Sequence, residues 1–439
     1  MKKYIWLIVF VVVFASITVT MALLNRKCTL GDGRVCYNEE VGRYEIEDNA
    51  KLSVMVSQQS VADWLTTYFQ EDITSGKLTL DFVVQQEVTA WDAVNQSVAD
   101  VILIQQDQAA MIFDRFLPVD NQLIIKYLID DIPQFHSLIN EETPLWIPQT
   151  IDGLLFIYNK TMLDELGINT DQRNEFNLPE QLASWEAISE LNQSILEEDI
   201  LFKSKRIQSA FPLTFQEKWQ FYPFLTASGW QMLESNKSSD PGFDSIELFS
   251  SLNYLMWMEK MFGSTSWQYE KVISEFISPF GVASPWMFVT EIEAMYEVDF
   301  VYAAYPSYQG NVMTPLARVA GYAVMDNAYP SASMAVLDAL LSDEIVKLQL
   351  ENKETSIVIS PQRRGDFELT DNQKDHMIAY DYSVSEPLVA LENNPSVRAW
   401  EFYMEGHVTE IIQLMIQGNI SVEDAQIQLI KKYEEWVNE

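Results

Sequence analysis

The strand-like segments of this 439-residue sequence fall into two groups, and this separation constrains the fold more than any other feature. Members of the first group alternate with amphipathic helical patterns, at residues 51–57, 78–84 and 100–104. The second group begins after the breakers Pro148 and Gly153, at residues 154–158, 301–305 and 319–325. Alternating strands and helices indicate an α/β fold with a largely parallel sheet. A single core rarely exceeds about 250–300 residues, so we expect two lobes.

We expect the chain to cross between these lobes more than once. Residues 51–152 with about 315–358 are predicted to form an N-terminal lobe, and residues 153–314 with about 359–439 a C-terminal lobe. A ligand would then lie between the lobes, off the carboxyl ends of the strands. Helices are predicted at 61–71, from an N-cap at Ser184, at 245–261, and from a capping box at Ser421 and Asp424.

An uncharged apolar run at residues 4–24 follows Lys2 and Lys3. As a helix it is long enough to span the roughly 30 Å of a bilayer core, whereas the apolar core of a signal peptide has only about 7–15 residues. This length favours an uncleaved signal anchor within residues 1–27 over a signal peptide cleaved after Ala22. The two lysines direct the rest of the chain outward, so we expect an extracytoplasmic protein that is anchored or secreted.

The sequence has only two cysteines, Cys28 and Cys36, on either side of a Gly31-Asp32-Gly33 turn. Outside the cytoplasm this spacing allows a small disulfide loop. We expect residues 28–50 to form a polar tether that carries this loop.

The charge balance argues against nucleic acid as a partner. There are 64 acidic and 28 basic residues, a formal net charge of −36, and such a surface repels the phosphates of nucleic acids. It is typical of a solubilising surface, although a cationic ligand such as a polyamine remains an alternative. The three histidines are scattered, and neither a phosphate loop nor a dinucleotide fingerprint occurs. We therefore expect no metal and no cofactor.

Four stretches carry a resemblance to a known family. They are Tyr158-Asn159-Lys160 within residues 147–168, the aromatic-rich residues 210–230, Ser284-Pro285-Trp286, and Leu341-Ser342-Asp343-Glu344. In order and spacing over about residues 51–439 the sequence resembles the sugar-binding proteins of bacterial ABC importers, and in particular their maltose/maltodextrin branch. The resemblance implies a two-lobed periplasmic-binding-protein-like fold with a hinge, a monomer that serves permease subunits, and no catalysis.

The resemblance also implies ligand-binding residues. The acids at the matching positions are Asp107, Asp152 and Glu217, the aromatic residues are Trp219 and Trp286, and the C-terminal stacking ring falls at Trp400 or Tyr403. Two positions depart from the maltose binders, because Ile104 replaces a stacking tryptophan and Gln108 replaces an arginine.

These residue types suit a carbohydrate. Carboxylates and amides exchange hydrogen bonds with sugar hydroxyls, and aromatic rings cover the C–H faces. The amide candidates near strand ends are Gln58, Gln59, Gln106 and Gln108. Two alternatives stay open: a binder of a non-sugar solute, such as a polyamine or a peptide, and an anchored sensor or adhesion module of the same fold.

Overall fold

The computed structural model of the chain describes residues 26–30, 34–85, 89, 92–93, 99–133, 144–214, 218–232, 241–351, 356–385 and 395–438. The strands are β1 (Arg26–Leu30), β2 (Val35–Asn38), β3 (Arg43–Tyr44), β4 (Ala50–Val56), β5 (Leu78–Val84), β6 (Val101–Gln105), β7 (Trp146–Gly153), β8 (Leu155–Asn159), β9 (Leu201–Phe202), β10 (Lys205–Arg206), β11 (Phe280–Ala283), β12 (Phe300–Ala303), β13 (Leu316–Val324), β14 (Ser356–Ile357) and β15 (Val384–Ser385).

The helices are α1 (Gln59–Tyr68), α2 (Gln70–Thr74), α3 (Gln106–Ala110), α4 (Asn121–Tyr127), α5 (Lys160–Glu165), α6 (Trp185–Glu198), α7 (Lys218–Leu225), α8 (Ile246–Phe262), α9 (Tyr269–Ser274), α10 (Val289–Tyr296), α11 (Pro330–Leu340), α12 (Asp343–Leu350), α13 (Asp371–Tyr380), α14 (Pro395–Met404), α15 (His407–Ile416) and α16 (Val422–Asn438).

The larger sheet has the strand order β14-β7-β13-β6-β4-β5, with β15 beside β13. Only β4 with its neighbours β5 and β6, and β13 with β15, pair in parallel, whereas β13 runs antiparallel to both β6 and β7. The prediction of a largely parallel sheet is therefore wrong for half of this sheet. The antiparallel pairs arise because the chain returns from the smaller sheet to the larger one as β13, which runs in the opposite direction to β6.

The smaller sheet has the order β11-β8-β12 and is antiparallel throughout. It has its own buried core, which includes Phe156 and Trp185, while the core of the larger sheet includes Val54 and Tyr322. Because successive side chains of a strand face opposite ways, Leu155 of β8 packs into the first core and Phe156 into the second. β8 therefore contributes side chains to both cores, and the division of the chain into two lobes stays a prediction.

The chain first passes from the larger sheet to the smaller one at the end of β7. Gly153 has φ +154, and a Cβ atom there would lie 2.7 Å from the carbonyl oxygen of Leu316, so only glycine fits this close approach. Pro148 was expected to break the strand. Instead it lies inside β7, opposite Gly321 at a register shift. A bulge accommodates proline because the ladder needs no N–H group there.

Residues 28–50, expected to form a polar tether, include β2 and β3, which form a small antiparallel meander with β1. Val35 and Tyr44 are buried, and the meander packs against α11. The Glu47 carboxylate accepts hydrogen bonds from the backbone N–H groups of Ser331 and Ala332 at the start of α11, both at 2.7 Å. The buried side chains of Val35 and Tyr44 hold this segment against α11. The Glu47 carboxylate also supplies acceptors for backbone N–H groups that have no partner within the helix.

The expected disulfide agrees with the register of the meander. Cys28 and Cys36 are direct partners across β1 and β2, and Cys36 is disulfide-bonded. The backbone N–H of Cys36 also donates to the Ser331 hydroxyl at 3.1 Å.

Several predicted helix starts are confirmed. The side chains of Ser184 and Ser245 cap α6 and α8, and Ser421 exchanges hydrogen bonds with Asp424 at the start of α16. The predicted helix at 61–71 is divided into α1 and α2. Within the described part of the chain, no helix has the length and apolar composition needed to cross a bilayer. The predicted anchor at residues 4–24 lies outside the described residues.

Candidate functional site

The parallel part of the larger sheet brings three strand ends to one edge. Gln58 and Gln59 follow β4, Gln85 follows β5, and Gln105 closes β6. Because β4 lies between β5 and β6 and runs parallel to both, these amides leave the sheet at the same edge. The sequence QQDQ at residues 105–108 then turns into α3.

The acid predicted on α3 is partly accessible. Asp107 is half-buried and accepts a hydrogen bond from the backbone N–H of Gln108 at 2.7 Å. The Gln108 amide lies 3.4 Å from the other carboxylate oxygen. Gln59 is exposed, and its amide donates to Asp63 at 2.8 Å. All three predicted side chains therefore reach solvent at the sheet edge.

Gln106 differs from its neighbours, because its side chain is fully buried. Neither its amide nitrogen nor its amide oxygen has a hydrogen-bond partner among the described residues. Leaving such a group unpaired costs about 1–3 kcal/mol. We interpret Gln106 as a group that needs a partner from solvent or ligand at this edge.

Asp152 lies on the ribbon that leads to the other lobe. β6 ends where Gln105 pairs with Ala320 of β13. Past this point β13 continues to pair with β7, and there Asp152 lies directly opposite Arg318. Sequence analysis missed Arg318, since only the strand register places this cation beside the predicted acid. Opposite charges that face each other across strands typically stabilise the pair.

The second lobe contributes Trp219, at the start of α7. Its half-buried ring meets the ring of Trp400 edge to face, with the centroids 6.0 Å apart and the planes at 77°. Trp400 is only 5% exposed. Its ring therefore packs against Trp219 and leaves little surface for contact with a ligand. Both α7 and α3 pack against β13, which places the helices of Trp219 and Asp107 along one strand.

Tyr403 is not placed to stack on a ligand. The residue is fully buried, its hydroxyl donates to the Lys218 carbonyl oxygen, and its ring packs edge to face on Tyr222 at 5.5 Å. The inward face of α14 thus places Tyr403 in the core, and of the two predicted positions Trp400 is the one beside Trp219.

Trp286 is the most accessible of the predicted aromatic residues, with 49% of its surface exposed. It follows β11, and the pairing of Ala283 with Leu155 places its loop beside the crossing at Gly153. Ile104, in contrast, is fully buried, and its carbonyl oxygen accepts a hydrogen bond from the indole of Trp146. Ile104 therefore belongs to the core and offers no surface to a ligand. Glu217 lies outside the described residues.

Among the residues that the structure describes, no group of three or more histidine, cysteine or acidic side chains could hold a metal ion. What the edge offers is a set of carboxylate, amide and guanidinium groups on one lobe and indole rings on the other. This arrangement can exchange hydrogen bonds with a polyhydroxylated ligand and cover its apolar faces.

Comparisons with known proteins bear on the fold. No family model and no curated protein matches the sequence. In three dimensions the chain is similar to the maltodextrin binding protein MalE1 from L. casei BL23, solved without ligand, with a TM-score of 0.64 and 12% sequence identity. The match covers 88% of this chain and 99% of that chain. The chain therefore shares the α/β fold of that protein, which is the fold that the sequence resemblance implied.

Proposed function

We propose that this chain is an extracytoplasmic solute-binding protein that binds an oligosaccharide between its two lobes and delivers it to the permease subunits of an ABC importer. The observation that carries the proposal is the fold match, which extends over 88% of this chain and 99% of the maltodextrin binding protein. The binding site itself is inferred from the residues at the sheet edge and on the facing lobe.

The chemistry of this edge supports a sugar. Asp107, Asp152 and Arg318 are charged groups near the strand ends, and hydrogen bonds to charged groups contribute about 1.5–3 kcal/mol each. Three such bonds are of the same order as the roughly 8 kcal/mol of a micromolar complex. The rings of Trp219 and Trp286 would cover the C–H faces of the sugar, which the carboxylates cannot do.

Closure of the lobes is the proposed mechanism. Ligand binds first to one lobe, the other lobe closes over it, and the permease recognises the closed form. The ribbon of β7 and β13 is the natural hinge, because both strands leave the larger sheet toward the other lobe. At its end Gly153 is held by the Tyr380 hydroxyl, which donates to the Gly153 carbonyl oxygen at 3.2 Å.

The N-terminal residues fit delivery at a membrane surface. Residues 4–24 would anchor the protein, or would be removed on export, and would leave a monomeric binding protein outside the cytoplasm. The meander with its disulfide then connects the anchor to the larger lobe.

Calorimetric titration tests the proposal. The full-length protein, kept in mild detergent because of its apolar N-terminal run, is titrated with malto-, xylo-, cello- and galacto-oligosaccharides. We expect micromolar binding of at least one series, with a change in tryptophan fluorescence. Absence of binding across all four series would overturn the carbohydrate assignment.

The excess of 64 acidic over 28 basic residues favours a second candidate, a cationic solute such as a polyamine. Titration with spermidine distinguishes the two. A polyamine site in the cleft would give binding that Asp107→Asn and Asp152→Asn weaken together, whereas Trp219→Ala and Trp286→Ala would leave it unchanged.

A further inference from the structure

A cavity of about 740 Å³ has Pro285 and Met287, the two neighbours of Trp286, in its lining. The first lobe contributes β14 and α12, the second contributes α10 and the loop at 285–287, and α13 lies between them. None of the residues assigned above to the sugar cleft lines it. Sites between two lobes are common places for small ligands.

Three polar side chains that line this cavity have unpaired atoms. They are His376 Nε2, Ser356 Oγ and Asn372 Oδ1, each shielded from water and without a hydrogen-bond partner among the described residues. His376 and Ser356 are each only 7% exposed. Buried polar groups are almost always hydrogen-bonded, so three unpaired atoms around a single cavity indicate a missing partner.

The imidazole is fixed and uncharged. Tyr302 packs edge to face on His376 with the ring centroids 4.1 Å apart. Burial lowers the pKa of His376 to about 3, so the ring is neutral at physiological pH and does not repel a cation. Its unpaired nitrogen can accept a hydrogen bond, as can the serine hydroxyl and the asparagine carbonyl oxygen.

The remaining lining combines apolar walls with an acidic rim. Met287, Val289, Leu350 and Met377 supply apolar surface. Four carboxylates and a single ammonium group also line the cavity, namely Glu293, Glu351, Asp366, Glu368 and Lys347. The lining therefore combines apolar side chains, a net negative charge and the buried acceptors of His376, Ser356 and Asn372.

We propose that this cavity is a second ligand site, which takes a linear alkyl diamine. One ammonium group donates its N–H bonds to the acceptors at the floor, near His376 and Ser356. The methylene chain lies along the apolar walls, and the second ammonium group meets the acidic rim. The proposal does not depend on the sugar function, because it uses other residues and another ligand class.

The test uses 1,4-diaminobutane as probe, with 1,4-butanediol and succinate as neutral and anionic controls of similar length. We expect calorimetric titration of the full-length protein to show binding of the diamine, at least tenfold tighter than the diol, and no binding of succinate. Ser356→Ala and His376→Leu should each weaken diamine binding at least tenfold. Thr409→Val is the matched control, since Thr409 carries another buried unpaired hydroxyl outside the cavity.

Glu368→Gln provides an independent variant, because this exposed rim residue can be changed without disturbing the core. It should weaken diamine binding several-fold and reduce its dependence on salt. A cavity that holds only water would show no diamine binding, which would overturn the proposal. Equal binding of diol and diamine, or unchanged affinity in Ser356→Ala and Glu368→Gln, would also overturn it. Oligosaccharide binding is recorded for the same variants, and loss of diamine binding with oligosaccharide binding retained, or the reverse, shows which of the two proposals fails.

Discussion

Replacing Trp286 with alanine tests the proposed sugar cleft most directly. The side chain is 49% exposed, and a tryptophan offers about 200 Å² in total, so about 100 Å² is open. A sugar ring that covers one face removes about half of that area. At about 25 cal/mol per Å² this contact is worth about 1.3 kcal/mol, or close to tenfold in Kd.

Trp219→Ala should weaken binding by at least as much, because the edge contact with Trp400 holds the indole in place before ligand binds. Kd for the best oligosaccharide is measured by calorimetry, and the thermal midpoint is recorded for each variant to confirm folding. Trp267→Ala is the matched control, since this half-buried indole contacts Lys271 and belongs to neither lobe face of the cleft. Unchanged affinity in both Trp219→Ala and Trp286→Ala would refute the stacking argument.

Three further predictions concern stability and are measured by thermal or denaturant unfolding. Gly153→Ala should destabilise the protein by about 1–3 kcal/mol, because its Cβ would contact the Leu316 carbonyl oxygen at 2.7 Å; a neutral result would mean that the crossing can shift. Asp338→Ala should cost about 1–3 kcal/mol, because the buried carboxylate accepts a hydrogen bond from the Tyr127 hydroxyl at 2.7 Å; an unchanged midpoint would contradict this. Burial raises the pKa of Asp375 to about 6 from 3.8, so the folded state retains a proton that the unfolded chain releases, and stability falls as pH rises from about 4 to 6. The free energy of unfolding of Asp375→Asn, relative to that of the native protein, should therefore rise by about 2–3 kcal/mol across that window. Parallel pH profiles of the two proteins would refute the assignment.

Local patterns in the sequence predicted many elements correctly. The strand at 78–84 coincides with β5, Ser184 caps the helix that it was predicted to begin, and the helical pattern at 245–261 coincides with α8. These features depend on contacts between residues close in sequence, so they can be inferred without the rest of the chain. The resemblance to sugar-binding proteins, which is a pattern of several such segments, gave the right fold for the same reason.

The errors share one cause, which is dependence on distant partners. Pro148 looked like a breaker, but a bulge opposite Gly321 accommodates it inside β7. Residues 28–50 looked like a tether, but β2 and β3 pack on α11, about 290 residues later in the chain. Tyr403 and Trp400 could not be distinguished in sequence, and only the packing of α14 buries the tyrosine completely.

The candidate site divides in the same way. The sequence by itself determined which chemistry is available, through the acids, amides and indoles near strand ends, because side-chain chemistry belongs to the residue. Only the tertiary structure decided which of these groups meet. It placed Arg318 opposite Asp152, buried Gln106 and Ile104, and brought together His376, Ser356 and Asn372 around a cavity that no sequence spacing indicated. Proximity between residues far apart in the chain is set by strand register and lobe packing, and these arise only when the whole chain folds.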